Sequence, residues 1–181
     1  MIVNLGLGPS QPVHDGTARG STTKLHLLRH ADAGDPEAWA GPDETRPLSG
    51  KGEKQSRRLG KFLAAGGSSL GPVITSPKLR ARQTADIVAA EMGLDVTVDD
   101  RLAYGLDAVA VEAILFDAGE PEQPLLVGHD PDFSELTAWL TGMESFAMKK
   151  GALVRIDTVR PISRASGTLR WLVPPDLLQG R

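Results

Sequence analysis

The chain has 181 residues, about one domain's worth of sequence, and its 40% hydrophobic and 24% charged composition excludes a disordered or membrane-embedded chain. A net charge of −3 with no dense Lys/Arg stripe excludes nucleic acid as an expected partner, and no apolar run reaches the ~18 residues of a membrane span. Without cysteine there is no disulfide and no thiolate chemistry, in keeping with an expected cytoplasmic location.

Residues 1–22 are rich in Gly, Pro, Ser and Thr and have no apolar stretch long enough for a signal peptide, so they read as a flexible leader ahead of a single domain over 23–181. From Lys24 onward short apolar runs alternate with longer amphipathic ones, which predicts an α/β fold with a mostly parallel sheet. The first strand is predicted over 24–29. A helix follows from an N-cap at Ser49, with Leu59, Phe62 and Leu63 on one face and Gly66-Gly67 at its end. Strand 73–75 leads into a helix capped by Ser76, with Pro77 at its first position and Gly93 beyond its end. Strand 96–98, helix 107–116, strand 125–127 and helix 132–140 come next. Strands 153–158 and 168–173 have no helix between them and are expected to form an antiparallel pair at an edge.

In such sheets ligands gather at the carboxyl ends of the parallel strands. The first strand ends in Arg29-His30, the second runs into a helix with Arg80 in its first turn, and the fourth ends in "VGHDP" with His129. A neutral imidazole is a competent nucleophile toward phosphorus, and arginine forks and helix N–H groups suit the oxygens around it. An isolated Arg-His pair is more often a solvated strand end, and it is the company of the other groups that favours a site. Arg80 has the wrong sign for a helix N-terminus, which a bound anion accounts for. Gly128 before His129 suggests close backbone approach at the site. "HDPD" lacks a second ligand pair at helical spacing, and "GLG" at 6–8 lacks the third glycine of a dinucleotide loop, so neither metal nor cofactor is expected.

Arg29-His30-Ala31, "RPLSGKGEKQ" (46–55), "TSPKLRARQTA" (75–85) and "LLVGHDP" (125–131) together resemble the histidine phosphatase superfamily, over residues 24 to about 141. The resemblance implies a phosphoglycerate mutase-like three-layer sandwich with helices on both faces of the sheet. It also implies that His30 becomes phosphohistidine, that Arg29, Arg80 and His129 form the phosphate pocket, and that water then releases phosphate. The pattern looks closest to the short SixA-type branch acting on phosphohistidine in proteins, since 48 residues between Arg80 and His129 leave little room for a roofing insertion. The implied partner is a histidine-phosphorylated protein domain. The alternatives are a small phosphate ester as substrate and a catalytically silent phosphate-binding module.

Two positions depart from the family pattern. Ala31 stands where the family has Gly, and Ala103-Tyr104 stands where many relatives carry the glutamate that protonates the leaving group. Asp32 is the first candidate for that acid and Asp130 the second, although both residue types more often cap turns.

Overall fold

Apolar side chains on both faces of adjoining strands bury the centre of a six-stranded sheet between helices. The computed structural model describes residues 21–179. β1 (Thr22–Arg29), β2 (Val73–Thr75), β3 (Val96–Val98) and β4 (Leu125–Gly128) run parallel in the order β3-β2-β4-β1. β5 (Leu153–Val159) and β6 (Gly167–Val173) extend the sheet antiparallel beyond β1, as expected of an edge pair.

The two-residue period of the strands sorts their side chains into two cores. Leu25, Leu27, Ile74 and Leu126 pack on α3 (Ala108–Asp117) and α4 (Asp132–Thr141), around the buried Phe133. Leu28, Val73, Leu125 and Val127 pack on α1 (Gly50–Ala65) and α2 (Leu79–Met92) through Leu59, Leu63, Ala81, Ala85 and Val88. The result is a three-layer α/β sandwich. Among the described residues no helix is long and apolar enough to cross a membrane.

Local chemistry explains most helix boundaries. Ser49 Oγ accepts from Gly52 N at 3.1 Å and Asp107 Oδ1 from Ala110 N at 2.8 Å, while Gly93 and Gly142 end α2 and α4 in left-handed conformation. Three expectations need correction. α2 begins at Leu79, so Ser76 is not its N-cap and Pro77 lies outside it; Ser76 Oγ instead turns the chain by accepting from Lys78 N at 3.3 Å. Phe62 does not join Leu59 and Leu63 in the core and is 40% exposed. The leader reading falls mostly on residues outside those described, and its last residue, Thr22, opens β1 and pairs with Val159, with Ser21 O just before it accepting from Arg160 N at 2.8 Å.

Candidate active site

Strand register brings the site together. β1 and β4 pair with Arg29 level with Gly128, and β2 and β4 with Thr75 level with Val127, so His30, Ser76 and His129, which follow the ends of these three strands, are neighbours at one lip of the sheet. The imidazoles of His30 and His129 lie 5.2 Å apart between ring centres. Arg80, on the first turn of α2, donates from Nε to His30 Nε2 at 3.3 Å. His30, Arg80 and His129 are each at most 6% exposed.

The loop after β1 is held by hydrogen bonds that fix the orientation of His30. His30 Nδ1 sits 2.8 Å from Ala31 O, which accepts only if Nδ1 carries the proton and leaves the lone pair on Nε2. Ala31 N donates to Thr84 Oγ1 at 3.1 Å, and Asp32 N to Gln55 Oε1 at 3.0 Å. Gly151, at φ +78°, donates its N–H to the carbonyls of both Arg29 and His30. Ala31 is fully buried and its φ is not positive, so the position does not require the family's glycine. At Gly52 an added Cβ would lie 2.0 Å from Asp32 O, so only glycine lets α1 press its first turn against this loop.

Both histidines are uncharged. Burial pushes His30 down to about 3, with Arg80, Arg29 and Lys150 adding to the shift against the Ala31 hydrogen bond. Burial pushes His129 down to about 2, helped by His30, Lys78 and Arg80. Ser76 Oγ lies 2.8 Å from His129 Nε2 in a hydrogen bond and also accepts from Lys78 N, which ties the His129 ring to the start of the β2–α2 turn. His129 Nδ1 is buried with no protein partner, and so is Arg29 Nε. Two buried nitrogens without protein partners, one of them an arginine donor, fit a bound oxyanion at this lip.

The four residues expected at the site divide into a tight group and a flanking one. Arg80 and His129 each stand against His30, the one through its Nε hydrogen bond and the other ring to ring. Arg29 is turned partly away: its Nη1 pairs with Asp130 Oδ2 at 2.9 Å and donates to Met148 O. Asp130 in turn accepts from Ser134 Oγ at 3.0 Å, so it orients Arg29. Asp32 accepts from Ser49 Oγ at 2.6 Å and from Gly34 N, and chiefly the Ser49 hydroxyl holds its carboxyl below the ordinary range. That direction opposes proton donation. Gly128 also has a reason other than the one expected of it, since an added Cβ would stand 2.7 Å from the Phe133 ring in the core.

Sequence reading gave no site role to Asp43, Arg46, Lys78 and Tyr104. Arg80 donates from Nη2 to Asp43 Oδ2 at 2.8 Å and from Nη1 to Asp43 O at 2.7 Å, and Arg46 donates to Asp43 Oδ1 through Nε and Nη2. Burial pushes the Asp43 carboxyl up, but the two guanidiniums outweigh it and leave it below its ordinary value. Tyr104 lies under Lys78, whose Nζ is 3.4 Å from the ring centre, and donates to Glu44 Oε1 at 2.6 Å. Among the described residues no group of three or more His, Asp or Glu is placed to hold a metal ion.

Residues 25–104 match the model of the histidine phosphatase superfamily, branch 1. An uncharacterized protein of Picosynechococcus sp. is 37% identical over 115 residues, which span 62% of this chain and 69% of that one. A Salmonella paratyphi C protein described as a probable phosphoglycerate mutase is 32% identical over 80 residues, 44% of this chain and 36% of that one. The solved structure of the protein histidine phosphatase SixA complexed with tungstate superposes with a TM-score of 0.75 at 26% identity, covering 87% of this chain and all of that one. The chain belongs to the histidine phosphatase superfamily and is similar, within it, to the short SixA-type phosphatases.

Proposed function

We propose that the protein hydrolyses phosphohistidine on another protein, with His30 as nucleophile and Arg80, Arg29 and His129 binding the phosphoryl oxygens. His30 Nε2 attacks phosphorus, the P–N bond to the substrate imidazole breaks, and the electron pair leaves on the substrate nitrogen, which takes a proton from solvent. Water then attacks phosphorus, the P–Nε2 bond breaks, and inorganic phosphate and neutral His30 are released. Low basicity at His30 keeps Nε2 unprotonated throughout and makes its phosphoryl adduct a reactive one.

The observation that carries this substrate class is the carboxylate chemistry around the site. Asp32, Asp43 and Glu44 are each held below their ordinary values, by the Ser49 hydroxyl, by Arg46 and Arg80 against burial, and by the Tyr104 hydroxyl respectively. None of these three is poised as an acid near neutral pH, and Asp130 is engaged in its ion pair with Arg29. An alkoxide leaving group needs such an acid, whereas an imidazole needs far less help. The chain between α2 and β4 adds support, because 93–95 and 118–124 lead into the starts of β3 and β4, and at the carboxyl end of β3 only 99–107 is left to form a rim before α3. Such an open lip admits a side chain carried on a protein surface.

A phosphomonoesterase acting on a small phosphate ester is the second reading, favoured by the similarity to the Salmonella protein described as a probable phosphoglycerate mutase. Comparing kcat/KM on a histidine-phosphorylated protein with kcat/KM on a panel of sugar and glycerate phosphates decides between them. Preference for the phosphoprotein supports the proposal, and rapid ester turnover with the phosphoprotein untouched overturns it.

A further inference from the structure

The outer face of α1 carries a feature for which the phosphoryl site has no use. Lys51, Lys54, Arg57, Arg58 and Lys61 are all exposed, and among the described residues none is ion-paired. At 3.6 residues per turn the five fall on one arc of roughly 120°. Glu53 is the only acid on the helix and lies beside that arc. The whole-chain expectation of no dense basic stripe is therefore corrected locally, because folding gathers these five of the 20 Lys and Arg residues on one face.

This arrangement works against the helix that bears it. Lys51 and Lys54 sit near the N-terminus, where the helix dipole is already positive. Lys51/Lys54, Lys54/Arg57, Lys54/Arg58, Arg57/Lys61 and Arg58/Lys61 stand three or four residues apart as like charges, against one favourable pair, Glu53/Arg57. The buried Leu59 and Leu63 hold α1 in place, and its surface charge needs a cause outside its own stability.

The stripe starts at the site and ends at an apolar corner. Its first turn abuts the Asp32 loop, where Lys51 and Lys150 both act on the Asp32 carboxylate and Lys150 also on His30. From Lys51 to Lys61 the helix rises about 15 Å. There Arg58, Lys61, Phe62, Ala65 and Leu178 line a shallow cavity of about 280 Å³, beside Leu177, which is 65% exposed.

We propose that this stripe docks an acidic face of the phosphorylated protein, whose carboxylates lie along Lys51 to Lys61 and whose apolar side chain fills the Phe62–Leu178 corner. The inference rests on the phosphoprotein reading above and names the partner's surface chemistry. A small ester cannot reach the stripe. A nucleic acid track would need basic charge over a longer path than five residues ending at an apolar corner.

The test combines Lys54→Glu, Arg58→Glu and Lys61→Glu, all outside the phosphoryl site, and confirms folding by thermal melting. Both proteins are assayed on a histidine-phosphorylated protein of net negative charge and on free phosphohistidine, at rising salt. We expect kcat/KM on the protein substrate to fall about tenfold or more through KM, with turnover of free phosphohistidine unchanged. Salt should weaken only the unsubstituted enzyme on the protein substrate. Unchanged kcat/KM on the protein, equal loss on both substrates, or binding of DNA or anionic vesicles through the stripe with protein turnover intact would each overturn the docking proposal. Failure of the unsubstituted enzyme on both phosphohistidine substrates, with esters turned over, would instead remove the phosphoprotein reading and the docking surface with it.

Discussion

The rings of His30 and His129 lie 5.2 Å apart and 55° from parallel, two uncharged imidazoles between the Arg80 guanidinium and the Ser76 hydroxyl. Burial is the first cause of their low basicity, and the cations around them add to it. Neither ring should titrate across physiological pH. In a histidine NMR titration from pH 5 to 8, His30 and His129 should hold the chemical shifts of neutral imidazole, whereas a midpoint near the ordinary 6.5 in either would show that the site is wetter than the packing indicates.

Stability should fall with acid for the same reason. His26, buried against Trp171 in β1, is pushed down to about 4 by burial, and His30 and His129 lie lower still. Unfolded, each binds a proton near pH 6.5; folded, each resists it, so the unfolded state binds more protons and stability declines as pH drops below 6.5. The loss amounts to about 1–2 kcal/mol per histidine by pH 5. His26→Gln should flatten part of the slope of urea midpoint against pH without altering turnover. An unchanged slope would remove His26 from the account.

Asp43 occupies two donors of Arg80 that a phosphoryl group would also engage. Asp43→Asn removes the negative charge while keeping the shape and the carbonyl. Competitive inhibition by inorganic phosphate should tighten about fivefold, on the order of 1 kcal/mol. Weaker inhibition would show that Asp43 serves to hold Arg80 in place and does not compete with the anion.

Gly52 and Gly128 separate two kinds of glycine near the site. Gly52→Ala drives a methyl into Asp32 O, and the loop carrying His30 must move, so activity should fall by about tenfold or more with a smaller loss in Tm. Gly128→Ala meets the Phe133 ring in the core, where overpacking costs about 1–3 kcal/mol. Pairing Gly128→Ala with Phe133→Leu should recover part of that stability, read from urea midpoints. No recovery would mean that the methyl clashes with something other than the ring.

The strand ends were the legible part of the site, because parallel strands of known polarity must bring their carboxyl ends to one lip, and Arg29, His30 and His129 occupy those ends. Arg80 was legible as a cation of unfavourable sign in a first helical turn. Asp43 and Tyr104 were not legible. They come from irregular segments whose path over the lip depends on Arg46 and Lys78, and no periodicity encodes that path. Ser76 reads as a helix cap because Ser-Pro is the usual opening of a helix, yet its hydroxyl is taken by His129 and the helix starts three residues later. Gly128 reads as a ligand contact because nothing local shows that a phenyl ring from α4 fills the space above it.

The central claim is that His30 Nε2 carries the phosphoryl group between substrate and water. Rapid acid-free quenching of the enzyme with a 32P-labelled phosphohistidine protein, followed by peptide mapping, tests it directly. Label should appear on the peptide containing His30, stable to base and lost in acid, and vanish together with turnover in His30→Ala. Steady release of phosphate with no label on His30, or turnover that survives in His30→Ala, would contradict the account.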